Sequence, residues 1–158
     1  MSMSELVERL EAAGIPLDDL TKSAMIDIDP GDFTDYDLEG FWHDRPIPFL
    51  FTDFGATRTI SAPHMIATLL HHLEIIMGQD IMLIGSKGGY LAAIIDRLVG
   101  KEGSVTIVEP HEEVRLHTEE RLDSHLCSGV IRVLRPNDIS EVERLSGGFE
   151  RVLITGSV

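Results

Sequence analysis

Cysteine is almost missing from this chain: Cys127 stands alone among 158 residues. A lone cysteine excludes a disulfide within the chain and any metal site built from cysteines, and the cytoplasm is the expected location. Lysine is scarce as well, with only Lys22, Lys87 and Lys101. The 13 Lys and Arg face 27 Asp and Glu, which leaves a net charge of −14. An acidic surface repels phosphate, so no nucleic-acid partner is expected. The acid is uneven, since residues 1–58 hold 13 Asp and Glu against 4 Lys and Arg. No apolar run nears the roughly 20 residues that a membrane-crossing helix takes, so no membrane partner is expected. Met1-Ser-Met-Ser-Glu5 has neither the basic start nor the apolar stretch of a signal peptide. Repeats and low-complexity segments are absent too. What remains is an acidic chain of single-domain size, able to bury about two-thirds of its unfolded surface.

The strongest local pattern runs from Asp80 to Glu109. Asp80-Ile-Met-Leu-Ile84 is a short apolar run that reads as a buried strand. Gly85-Ser-Lys-Gly-Gly89 breaks it, and helical spacing follows from Tyr90 to Val99. A turn at Gly100–Gly103 leads to a second apolar run, Val105–Val108, which ends on Glu109. Strand, glycine-rich turn, helix, strand and acid, in that order, describe the nucleotide-binding half of a doubly wound α/β domain. Glycines let backbone approach a ligand, and an acid at that spacing can accept hydrogen bonds from ribose hydroxyls.

On either side of this unit the chain divides into recognisable pieces. Ser4–Ala13 is an amphipathic helix with Leu6, Val7 and Leu10 on one face, and residues 17–25 offer a second helix. Residues 27–45 lose periodicity and fill with aspartate. They lack the central glycine and closing glutamate of a calcium loop, so a solvated loop is expected. Residues 47–52 and 56–60 flank Asp53-Phe-Gly55 as a hairpin. Ser61 at the cap and Pro63 in the first turn start a helix reaching about Met77, with Met65, Ile66, Leu69, Leu70, Leu73 and Ile76 facing the core. His64, His71 and His72 lie roughly opposite; no acid or cysteine joins them at ligand spacing, so solvent-facing histidines and no metal are expected. Beyond Glu109, residues 110–126 read as a helix with Val114, Leu122 and Leu126 inward. Val130–Leu134 is a third strand, 139–145 a short helix and Phe149–Thr155 a fourth strand.

Thr59-Ile-Ser-Ala-Pro-His-Met-Ile-Ala67, just before the α/β unit, resembles the signature of protein-L-isoaspartate O-methyltransferases. The similarity continues in order through Leu6…Gly14-Ile15, Asp44-Arg-Pro-Ile-Pro48, Gly85…Gly89-Tyr90 and Phe149–Thr155. It implies a Rossmann-like class I methyltransferase fold, with residues 1–60 as a helical and hairpin segment and 61–158 as the α/β core of one compact domain. The implied chemistry is S-adenosylmethionine-dependent methylation of isoaspartyl carboxylates in a protein or peptide, a repair reaction. By resemblance, Gly85, Ser86 and Gly89 would hold the methionine end of the cofactor, Glu109 the ribose, Asn137 or Asp138 the adenine, and Ser61 the acceptor.

Three positions depart from the family pattern. Leu83 replaces an acid, Lys87 a glycine, and Arg135-Pro-Asn-Asp138 a Gly-Asp-Gly turn. A side chain at position 87 can occupy the ligand's space and sets positive charge beside a sulfonium. The sequence ends three residues after the fourth strand, so a partial sheet of order 3-2-1-4 is expected, its last strand open to a second copy or a partner chain. Two alternatives to an active enzyme stay open: a methyltransferase-fold subunit that binds without catalysing, and a nicotinamide-dinucleotide domain.

Overall fold

The computed structural model describes residues 1–139 and 148–155. α1 (Met3–Ala12) opens with a reciprocal cap, in which Ser2 Oγ accepts from the Glu5 N–H and Glu5 Oε2 accepts from the Ser2 N–H. It buries Met3, Leu6, Val7 and Leu10. α2 (Asp19–Asp27) is capped by Asp18 and buries Thr21, Ala24 and Met25.

Residues 27–45 are more than the expected solvated loop. Their aspartates are largely exposed, yet a 3-10 turn at Pro30–Phe33 and a short helix α3 (Glu39–Trp42) each bury an aromatic completely, Phe33 and Phe41. Both rings pack on Tyr90, with centroids 5.7 and 5.8 Å away. Single apolar anchors between acids have no period, which is why the pattern hid them.

β1 (Ile47–Phe51) and β2 (Thr57–Ile60) form the expected antiparallel hairpin, pairing Ile47 with Ile60 and Phe51 with Thr57. The helix after it, α4 (Pro63–Leu73), differs from expectation at both ends. Ala62 rather than Ser61 holds the cap position, without a side-chain bond. Asp44 supplies the missing acceptor: its Oδ1 takes the His64 N–H at 2.8 Å and its Oδ2 meets His64 Nδ1 at 2.9 Å. At the other end Glu74 turns left-handed, φ 49, and stops the helix early. Ile76 therefore lies outside it, and Ile76 and Met65 are exposed rather than in the core. Ile66, Ala67 and Leu70 carry the buried face.

β3 (Asp80–Ile84), α5 (Tyr90–Val99), β4 (Ser104–Val108), α6 (Glu112–Asp123), β5 (Val130–Leu134) and β6 (Arg151–Ile154) complete the fold. The strands pair in parallel in the order β5-β4-β3-β6, the expected 3-2-1-4 arrangement of a Rossmann-like sheet. β4 lies in the middle and every one of its residues is buried. α5 is buried from Tyr90 through Asp96, and Asp96 accepts the N–H groups of Ser128 and Gly129 at 2.6 and 2.9 Å. α6 buries Val114 and Leu122 but ends at Asp123, so Leu126 points outward against expectation. The helix expected over 139–145 falls almost wholly outside the described residues. One apolar cluster joins Leu6 and Met25 of the first helices to Ile81 and Ile107 of the sheet.

Candidate functional site

The carboxyl ends of β3, β4 and β6 open into a cleft of about 450 Å³, at the point where the strand order reverses. Its floor is the turn after β3. Gly85 adopts φ 95, and a Cβ there would lie 2.6 Å from the Thr155 carbonyl oxygen. Close approach of β6 thus demands glycine, and Thr155 Oγ1 locks the contact by donating to the Gly85 carbonyl at 2.8 Å. Gly88, at φ 75, lies beneath the Phe49 ring, where a Cβ would come within 2.9 Å. The hairpin therefore presses directly on the turn.

Glu109 governs the opposite wall. It is only 7% exposed, and its two carboxylate oxygens are used by different loops. Oε1 accepts the Ser86 N–H and Oε2 the His111 N–H, both at 3.0 Å. Each oxygen keeps lone-pair capacity for a further donor from the cleft. Ser86 contributes backbone to this wall, because its buried hydroxyl meets Thr118 Oγ1 at 2.8 Å inside the protein.

Lys87 is the third distinctive element. Its backbone is left-handed, φ 49, a conformation that costs an L-residue about 1–2 kcal/mol. Burial pushes its amine below the usual lysine pKa, and the neighbouring Arg58 guanidinium adds to the effect. Arg58, Thr57 and Thr59 of β2 form the wall facing Glu109's loop, with Phe49 beside them and Ile84, Ile154 and Thr155 toward the sheet.

Of the residues singled out from the sequence, Gly85, Ser86 and Glu109 line the cleft together, and Gly89 (φ 97) caps α5 just behind it. Leu83 is fully buried on the core side of β3. Ser61 lies one residue past β2 and is half-buried, outside the cleft lining. Asn137 and Asp138 sit in the turn after β5, also outside the lining, where Asp138 Oδ2 accepts from the Arg135 N–H at 3.4 Å. Sequence reasoning missed Phe49, Arg58, His111 and Thr155. Only the hairpin's position directly before the signature pointed toward the first two. Among the described residues no group of three or more His, Cys, Asp or Glu could hold a metal, and no helix is long and apolar enough to cross a membrane.

The arrangement offers a ligand a glycine floor, an acidic wall able to accept hydroxyl donors, and a cationic wall. Residues 1–136 match the family model described as Protein-L-isoaspartate(D-aspartate) O-methyltransferase. A protein-L-isoaspartate O-methyltransferase of Pyrobaculum islandicum is 27% identical over 154 residues, 96% of this chain and 71% of its own length. That of Ignicoccus hospitalis is 34% identical over 119 residues, 75% of this chain and 54% of its own. Among solved structures, a protein-L-isoaspartate O-methyltransferase superposes with a TM-score of 0.80 at 22% identity, over 99% of this chain and 48% of that one. A beta-aspartate methyltransferase from Plasmodium falciparum, in complex with S-adenosyl-L-homocysteine, superposes with a TM-score of 0.76 at 21% identity, over 100% and 75%.

Proposed function

The chain belongs to the protein-L-isoaspartate(D-aspartate) O-methyltransferase family, and on that premise we propose that it methylates isoaspartyl carboxylates in proteins or peptides, using S-adenosylmethionine. The observation that carries this reading is Glu109, buried at the end of β4 and tied to the glycine turn through the Ser86 N–H.

The residues present fit that cofactor. Glu109 retains acceptor capacity for a pair of ribose hydroxyls. The glycines at 85 and 88 keep the turn's backbone clear of side chains where the walls close in. Ile84, Val114 and Ile154 give the cleft apolar surface beside its polar groups. When bound, S-adenosylmethionine supplies a methyl group on a sulfonium, which is already a good leaving group. An isoaspartyl carboxylate is already ionised at pH 7, so no side chain has to remove a proton. The protein's task is to hold two reactants in line, and positioning alone can supply about 7–11 kcal/mol of a barrier. We assign Ser61, just past β2, to the acceptor end. Asn137 and Asp138 we assign to the adenine end, since their turn follows β5 at the same rim of the sheet.

Two further parts of the reading concern the protein's surroundings. β6 pairs only with β3 among the described residues, and its Val152 and Ile154 are 50% and 55% exposed. We place another strand against that edge, from a second copy or a partner chain. A single cysteine, with no disulfide to form within the chain, suits the cytoplasm. Calorimetric titration with S-adenosylhomocysteine, paired with a methyl-transfer assay on an isoaspartyl peptide, tests the whole. Saturable binding and methylated peptide are expected; absence of both would refute it.

A further inference from the structure

Among the described residues Arg58 and Lys87 make no ion pair, as is true of Arg45, Lys101 and Arg132 too, but of these five only Arg58 and Lys87 line the cleft. Elsewhere Lys22, Arg97, Arg115, Arg121 and Arg135 each meet a carboxylate. These two make no ion pair or side-chain hydrogen bond with any described residue, although the chain carries 27 acids and both line a concave site. Lys87 follows Ser86, whose N–H Glu109 holds, yet it forms no ion pair with Glu109. Arg58 is the charge it feels.

The backbone keeps this lysine where it is. Gly88, the next residue, is pinned under the Phe49 ring, and Lys87 itself sits in a left-handed conformation that few lysines adopt. Strain of this kind persists only where surrounding structure imposes it, and it gathers at ligand-binding positions. Two cations facing one cleft repel each other in the free protein, and an anion between them recovers that energy. Arg58 adds a planar fork suited to a carboxylate, whereas Lys87 adds a point charge.

We propose that Arg58 and Lys87 form a carboxylate-binding pair in this cleft, gripping its ligand between the β2 wall and the glycine turn. The inference rests on the function proposed above. Within it a carboxylate has two sources, the isoaspartyl acceptor and the amino-acid half of the cofactor. The acceptor is favoured, because Arg58 lies on the strand that leads to Ser61, while cations beside a sulfonium disfavour it unless an anion neutralises them.

The test uses wild type, Lys87→Met and Arg58→Gln, each first shown by circular dichroism to melt cooperatively. Calorimetry then measures binding of an isoaspartyl peptide, of S-adenosylhomocysteine, and of 5′-methylthioadenosine, which lacks the carboxylate. For an acceptor carboxylate, each variant should bind the peptide at least tenfold more weakly and the other two ligands as wild type does. For the cofactor's carboxylate, S-adenosylhomocysteine binding should fall tenfold while methylthioadenosine binding holds. Unchanged affinities throughout, or an equal loss for methylthioadenosine, would overturn the pair. Should wild type bind neither adenosine ligand, the proposed function fails. The peptide then decides alone: weaker binding in the variants keeps the pair, and equal or absent binding ends it.

Discussion

Replacing Glu109 by Gln separates two jobs that one carboxylate performs. Gln has the same length, and its single oxygen can still accept one of the two N–H groups, from Ser86 or from His111. Its amide nitrogen then meets the other N–H donor to donor. A hydrogen bond to a charged group is worth about 1.5–3 kcal/mol, and in a buried setting the stranded donor recovers little from water. Glu109→Gln should therefore destabilise the fold by about 1.5–3 kcal/mol. At about 2–4 °C per kcal/mol for a chain of this size, the melting temperature should fall roughly 3–12 °C. Binding should suffer separately, because a ribose would lose a charged acceptor, and a ten- to hundredfold weaker affinity for S-adenosylhomocysteine follows from the same range. Chemical denaturation measures the first effect, and calorimetry below the variant's transition measures the second. An unchanged denaturation midpoint would refute the bridging carboxylate. An unchanged affinity would remove Glu109 from the ribose while leaving its structural role intact.

Three other outcomes are expected. Gly85→Ala should cost at least about 2–3 kcal/mol in denaturation, since a methyl group there collides with the Thr155 main chain in a left-handed backbone; a loss under about 1 kcal/mol would contradict the close approach of β6. Lys87→Gly should stabilise the fold by about 0.5–1 kcal/mol, the relief of left-handed strain less glycine's extra freedom when unfolded, and should at the same time weaken carboxylate binding. His117 titrates lower than an ordinary histidine because it is partly buried, although its bond to the Phe33 carbonyl pulls the other way. Folding thus favours the neutral ring. Its share of the stability is present above the unfolded pKa near 6.5 and is lost as pH falls below it. His117→Gln should flatten denaturation midpoints between about pH 7 and 5, and an identical profile would dismiss the effect.

The α/β unit was readable because its signals are local. Apolar runs bounded by Gly85 and Gly100, and an acid closing the second run, need no tertiary information to interpret. The sheet order also matched, helped by the family resemblance. What stayed hidden depends on contacts between distant residues. No rule of spacing could show that Phe49 lies on Gly88, or that Asp44 would cap α4 in place of Ser61. Ile76 and Leu126 kept helical spacing beyond the points where their helices stop, and both came out exposed. Glu74's left-handed turn and the end of α6 at Asp123 carry no glycine or proline to announce them.

The bond between Asp44 and His64 has a mechanical consequence. It joins residues 20 apart and so closes the hairpin into a ring, fastened at its base to the first turn of α4. Closing a loop of that length removes conformational freedom that grows only slowly with size, so a single latch restrains the whole excursion. Any movement that widens the cleft must then bend the hairpin at its far end, around the exposed Phe54 and Gly55, or rock the closed ring as a unit with α4. Asp44 thus fastens the base of this wall, while Glu113 Oε1 accepts the Asp53 N–H at its tip and the Pro48 carbonyl accepts the Thr34 hydroxyl along β1. Asp44→Ala should loosen the wall from the base, and amide hydrogen exchange at Ile47 and Ile60, the strand pair beside that latch, would quicken before the sheet itself opened.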